Sequence, residues 1–146
     1  MRRAVAALVV TAAAAIIWIA ALPPAAVDQP VVFPHARHQG VACTVCHRGA
    51  TTSARAGIPD AAFCAKCHSS LPQTIAWVQV TRLPSHVMFS HQRHVQLGQL
   101  DCASCHGEIK TRTTPIGRAQ VRLVMTTCLS CHRHEGAAED CAACHR

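Results

Sequence analysis

Residues 33–47 read Phe-Pro-His-Ala-Arg-His-Gln-Gly-Val-Ala-Cys-Thr-Val-Cys-His, and this stretch holds both signals that decide the fold. Its second half, Cys43-Thr-Val-Cys46-His47, recurs as Cys64-Ala-Lys-Cys67-His68, Cys102-Ala-Ser-Cys105-His106, Cys128-Leu-Ser-Cys131-His132 and Cys141-Ala-Ala-Cys144-His145. These five copies use all ten cysteines of the chain, so none is left over. Its first half, Phe33-Pro-His35-Ala-Arg-His38, recurs as Phe89-Ser-His91-Gln-Arg-His94. Each Phe-x-His-x-x-His segment precedes two cysteine motifs, which makes an internal repeat of about 33–68 and 89–132, followed by a last motif at 141–145.

C-x-x-C-H is the attachment sequence for c-type haem. Two thiols add across the porphyrin vinyl groups, and the histidine that follows is placed to bind the iron. A zinc site or a dithiol requires C-x-x-C but not a histidine after every second cysteine. A disulfide framework tolerates any spacing and leaves the five motif histidines without a purpose. The repeat therefore predicts five covalently bound c-type haems, with His47, His68, His106, His132 and His145 as proximal ligands.

Six histidines remain: His35, His38, His86, His91, His94 and His134. Two histidines three apart on one short helical turn can face two different irons, so His35/His38 and His91/His94 are candidate distal ligands for four haems. His86, His134, Met88 and Met125 compete for the fifth position, where a methionine raises the potential relative to a histidine pair. Phe33 and Phe89 read as haem-packing residues.

The amino terminus is of a different kind. Met1, Arg2 and Arg3 precede an uncharged run from Ala4 to Leu22, closed by Pro23 and Pro24. A basic start with an apolar run is an export signal; at about 1.5 Å per residue the run is long enough to stay as a membrane anchor. Arg2 and Arg3 place the start in the cytoplasm and the rest outside it. The expected organisation is a signal anchor or transmembrane helix at 1–24 and a haem domain at 25–146 facing the periplasm. Cleavage near Ala20 to Ala26, which makes a free soluble shuttle, is the competing reading.

The chain of 146 residues has five aromatic side chains and no tyrosine, too few for an ordinary core. Five macrocycles supply the missing interior, so the expected fold is mainly irregular with short α-helices, dictated by its cofactors, with a brief strand at Trp77–Val80. The formal charge of +7 invites a nucleic-acid reading, which the cofactors remove. Without Arg2 and Arg3, 12 basic and 7 acidic residues remain. Two propionates per haem bring the exported holoprotein to roughly zero when oxidised and about −5 when reduced.

Through Phe-x-His-x-x-His ahead of C-x-x-C-H the sequence resembles the multihaem cytochromes of the c-three/c-seven type. The stretches Trp77-Val78-Gln-Val80-Thr-Arg-Leu83-Pro84, Val87-Met-Phe89-Ser-His91-Gln-Arg-His94-Val95, Cys102…Cys105-His106-Gly107 and Met125-Thr-Thr-Cys128-Leu129-Ser-Cys131-His132-Arg133 resemble the pentahaem cytochrome subunit of alternative complex III and related quinone-reactive complexes. The resemblance implies an N-terminal membrane helix, five haems and electron transfer between membrane quinone chemistry and a periplasmic acceptor. It also implies distal roles for His35, His38, His91 and His94, with Met125 in the fifth position. Thr126 and Thr127 stand where that family often has Gly-Trp, and the chain is short for such a subunit.

The expected function is thus electron transfer, not catalysis, because spare histidines and methionines suffice to fill every iron. The implied partners are other subunits of a membrane oxidoreductase complex, a redox-protein donor or acceptor, and the membrane itself. A small haem reductase with one open iron, and direct quinol oxidation by the chain alone, are the rivals.

Overall fold

The computed structural model describes residues 2–22 and 25–146. Pro23 and Pro24, which close the apolar run and mark the expected domain boundary, lie outside the described residues. Six α-helices occur along them: α1 (Arg2–Ala21), α2 (Cys43–Cys46), α3 (Ala61–Cys64), α4 (Ala103–His106), α5 (Met125–Glu135) and α6 (Cys141–Cys144). Four of the six span a single turn, and the connections are irregular, as expected of a chain organised around bound groups.

The expected strand at Trp77–Val80 does not form. No strand occurs among the described residues, whose β pairing is confined to one antiparallel bridge between Val87 and His145. The Val78 N–H is held instead by the Gln29 side chain, whose Oε1 accepts it at 3.1 Å. The Nε2 of Gln29 donates to the carbonyls of Val78 (2.8 Å) and Ile116 (2.9 Å). A strand partner is replaced by a side chain that ties three segments together.

The expected transmembrane helix is not supported either: among the described residues no helix is long and apolar enough to cross a membrane. Ile16, Ile17, Trp18 and Ile19 on α1 are exposed, all at 67% or more.

The core is as thin as the composition implies. Ala50 and Ala61 are the two buried apolar side chains among the described residues. Burying two methyl groups contributes about 1–2 kcal/mol, which ordering a single residue offsets at about the same cost. Side-chain packing is not what orders this chain.

The two repeat units dock on each other reciprocally. The 3-10 turn His35–His38 of the first packs on the turn Ile109–Thr111 that follows the third motif. The π-helical turn Gln92–Leu97 of the second packs on Arg48–Ala50, which follows the first motif. Equivalent hydrogen bonds join them: the Ala36 N–H donates to the Arg112 carbonyl (2.9 Å) and the Gln92 N–H to the Ser53 carbonyl (3.0 Å). Ala36 and Gln92 occupy the same place in their segments, and each acceptor lies at the same distance past its motif histidine. The units are therefore related by an approximate two-fold exchange, with the first and third motifs at the junction.

Candidate haem-binding sites

Four of the cysteine motifs form or lie within an α-helical turn, and in the second α3 ends at Cys64 and the chain continues to His68 as a hydrogen-bonded turn. The motif histidine N–H donates to the carbonyl of the first cysteine in His47 (2.8 Å), His68 (3.0 Å), His106 (3.0 Å) and His145 (2.8 Å), while Cys128–His132 lies inside α5. At 3.6 residues per turn, positions i, i+3 and i+4 share one side, so both thiols and the imidazole face the same way. Aspartates start two of these turns and cap α3, the helix that leads into the second motif. Asp60 accepts from the Phe63 N–H (2.8 Å), Asp101 from Ala103 (2.7 Å) and Asp140 from Ala143 (3.0 Å), each satisfying a donor that the first helical turn leaves unpaired.

The two histidine segments are near copies in space. Phe33 stacks on His38 (centroids 4.6 Å, 22°) and meets His35 edge-on (4.9 Å, 89°). Phe89 stacks on His94 (4.6 Å, 23°) and meets His91 edge-on (4.9 Å, 89°). In both, the second histidine's Nδ1 faces the carbonyl four residues back, His38 to Pro34 (3.3 Å) and His94 to Ser90 (2.8 Å). The phenylalanines, read from the sequence as haem packing, here orient the histidine pair; their fixed place two residues ahead of the first histidine was the signal.

Tertiary folding then brings each distal candidate to a motif histidine. His38 lies against His68 (ring centroids 6.0 Å), His91 against His106 (6.2 Å, 3° between planes) and His94 against His132 (6.2 Å). His35 neighbours His47. Burial lowers the His35 pKa, and the His47 and then His38 rings lower it further. The His106 pKa is lowered by burial, then by His91 and His47, which places the first and third sites side by side. The thiols report the same adjacency. Burial raises Cys46 with Cys64 nearby, Cys102 with Cys43 nearby, and Cys105 with Cys131 and Cys128 nearby.

The three pairs with facing rings, His38–His68, His91–His106 and His94–His132, fit an iron between them. Imidazoles bound from opposite sides of one metal at about 2.0–2.1 Å have ring centres about 6 Å apart, the spacing found. The donor chemistry agrees. Nδ1 of His38, His47 (to Gly57, 2.7 Å), His91 (to Ala54, 3.0 Å), His94 and His132 (to Ala138, 2.5 Å) each faces a backbone carbonyl, which only accepts. Nδ1 is therefore the protonated nitrogen, and Nε2 keeps the lone pair a metal needs. No group of three or more His, Cys, Asp or Glu converges into a metal cage among the described residues, and all ten thiols are free of disulfides.

The competitors for the fifth position separate clearly. Met125 begins α5 at 62% exposure. His134 points into solvent with its Nδ1 on the Glu135 carboxylate (2.8 Å). His86 lies against His145 (5.4 Å, 22°). The sequence left His86 as one of four competitors while the resemblance favoured Met125, and no local spacing singles His86 out.

A cytochrome c3 family model matches residues 34–118, a stretch with both histidine segments and the first three cysteine motifs. The menaquinone reductase, multiheme cytochrome c subunit, of Nitratidesulfovibrio vulgaris is 29% identical over 99 residues, covering 54% of this chain and 46% of that protein. The match thus spans about half the length of this curated relative. With its repeated Phe-x-His-x-x-His segments, helical C-x-x-C-H turns and facing imidazoles, the chain belongs to the cytochrome c3 family, multihaem electron-transfer proteins that hold c-type haem covalently.

Proposed function

We propose that this chain is a membrane-anchored, periplasm-facing pentahaem cytochrome that relays electrons between a quinone-reactive membrane oxidoreductase complex and a periplasmic redox protein. The observation that carries the reading is the set of facing histidines at 6.0–6.2 Å, with Nδ1 of His38, His91, His94 and His132 committed to backbone carbonyls. A c-type haem, when bound, supplies reversible one-electron iron chemistry whose potential the axial ligands set. Cys43/Cys46, Cys64/Cys67, Cys102/Cys105, Cys128/Cys131 and Cys141/Cys144 are the attachment thiols. His47 with His35, His68 with His38, His106 with His91 and His132 with His94 are the axial pairs of the first four sites. Their adjacency runs second, first, third, fourth, with the pseudo-two-fold junction between the first and third.

The chain's charges suit this role. Arg48 and Lys66 lie over the Phe63 ring (4.5 and 5.0 Å) on the wall of a cleft that reaches Cys46, where they can neutralise porphyrin carboxylates. Anchoring through residues 4–22 rests on their uncharged, apolar sequence and the basic residues before it. The quinone-reactive partner rests on the relative, a menaquinone reductase subunit, and on the resemblance to the alternative complex III subunit.

Three measurements on protein purified in mild detergent from membranes test the reading. Intact mass should correspond to five covalent haems per chain; fewer refutes the pentahaem assignment. The protein should stay in the membrane pellet after a high-salt wash; release refutes the anchor. Integral subunits should co-purify and be required for reduction by a quinol analogue; reduction of the chain alone refutes the partner assignment.

A further inference from the structure

Resting on the pentahaem reading, we infer that His86 is the distal ligand of the fifth haem, the one attached at Cys141, Cys144 and His145. Three observations converge on it. The His86 ring faces His145 at 5.4 Å with 22° between planes, close to the spacing of the other pairs and nearly parallel. The backbone fixes this approach from both sides. The Arg146 N–H donates to the His86 carbonyl (3.1 Å), the Met88 N–H donates to the Cys144 carbonyl (2.7 Å), and Val87 bridges His145. Of the rivals, Met125 is 62% exposed, His134 is held on Glu135, and Met88, which follows the bridge to the same motif, is 42% exposed. His86 is exposed, but so is His68, the proximal histidine of the second site.

The assignment makes all ten axial positions imidazole nitrogen. The fifth haem then loses the rise in potential that methionine ligation brings, and no iron is left open for a substrate. His86 also differs from the other four distal histidines in origin. It comes from outside the Phe-x-His-x-x-His repeat and is positioned by chain pairing with the carboxyl terminus instead of by a helical turn.

The test uses the full-length holoprotein, with haem content per chain measured first. The wild type should show only low-spin, nitrogen-ligated haem in its magnetic circular dichroism, with no iron–methionine charge-transfer band and no carbon monoxide binding when reduced. His86→Ala should bind one carbon monoxide per chain, reversed by added imidazole, while Met125→Leu, Met88→Leu and His134→Ala bind none. An iron–methionine band in the wild type, a His86→Ala protein silent to carbon monoxide, or a methionine variant that opens one iron overturns the assignment. If His86→Ala does not mature, the wild-type spectrum and His134→Ala decide it by the same criteria. A wild-type haem count below five refutes the pentahaem reading itself, whatever the ligand variants do.

Discussion

Replacing Phe89 by alanine should loosen two haem ligands at once. Its ring stacks on His94 at 4.6 Å and touches His91 edge-on at 4.9 Å. Aromatic pairs of this kind are worth about 0.5–1.5 kcal/mol each beyond the area they bury. The two contacts together then hold the imidazoles by about 1–3 kcal/mol, about 5- to 150-fold in the equilibrium between bound and swung-out rings. The carbonyl bonds at Nδ1 remain in the variant, so the ligands should weaken without being lost. The assay is displacement of distal ligands from the reduced holoprotein by carbon monoxide, read as affinity and as the number of haems responding. Phe89→Ala should raise affinity at two haems of five. Phe89→Leu, which keeps apolar volume without the ring quadrupole, should fall between it and the wild type. Phe33→Ala should act on the other unit's two haems and more strongly, because Phe33 also meets Trp77 edge-on (6.2 Å, 85°), a further ~0.5–1.5 kcal/mol. A Phe89→Ala protein that binds carbon monoxide no better than the wild type, or one that responds at all five haems, would refute the reasoning.

Gln29→Ala removes three hydrogen bonds to Val78 and Ile116; at about 0.5–1.5 kcal/mol each it should lower the thermal midpoint with the haem spectrum unchanged. Gly107→Ala forces a side chain onto φ +70° with its Cβ 3.1 Å from Gln120 Cβ, whereas Gly57→Ala has the same sign of φ and open space. Denaturant titration should give a loss of about 1–3 kcal/mol at Gly107 and a smaller one at Gly57; equal losses would mean that only the backbone angle matters. Finally, with all ten cysteines changed to serine the chain should show no cooperative thermal transition by circular dichroism, since two buried alanines are the apolar core among the described residues; a cooperative melt would contradict the cofactor-dictated fold.

Much of the site was legible because it is local. Two thiols and a histidine at i, i+3 and i+4 face one way only if the stretch makes a helical turn, and four of the five motifs do, the second closing as a hydrogen-bonded turn. The Phe-x-His-x-x-His segments were readable for the same reason, since residues this close in sequence meet whatever the rest of the chain does. Trp77–Val80 misled because an alternating apolar pattern needs a partner strand, and the backbone there bonds to the Gln29 side chain instead. The apolar run at 4–22 was read from composition, and among the described residues no helix is long and apolar enough to cross a bilayer.

The sequence by itself thus determined how many attachment turns there are, which histidine follows each, and that the histidine segments repeat. Only the tertiary structure decided which histidine of the repeat faces which motif histidine, that the two units exchange equivalent contacts, and that His86 faces His145 of the last motif. The reason is physical. Attachment is set by bonds within one helical turn, while distal pairing depends on backbone bonds between segments far apart in the chain, such as Gln92 to Ser53, Ala36 to Arg112 and Met88 to Cys144. Those bonds link peptide groups present at every residue, so no side-chain pattern announces them.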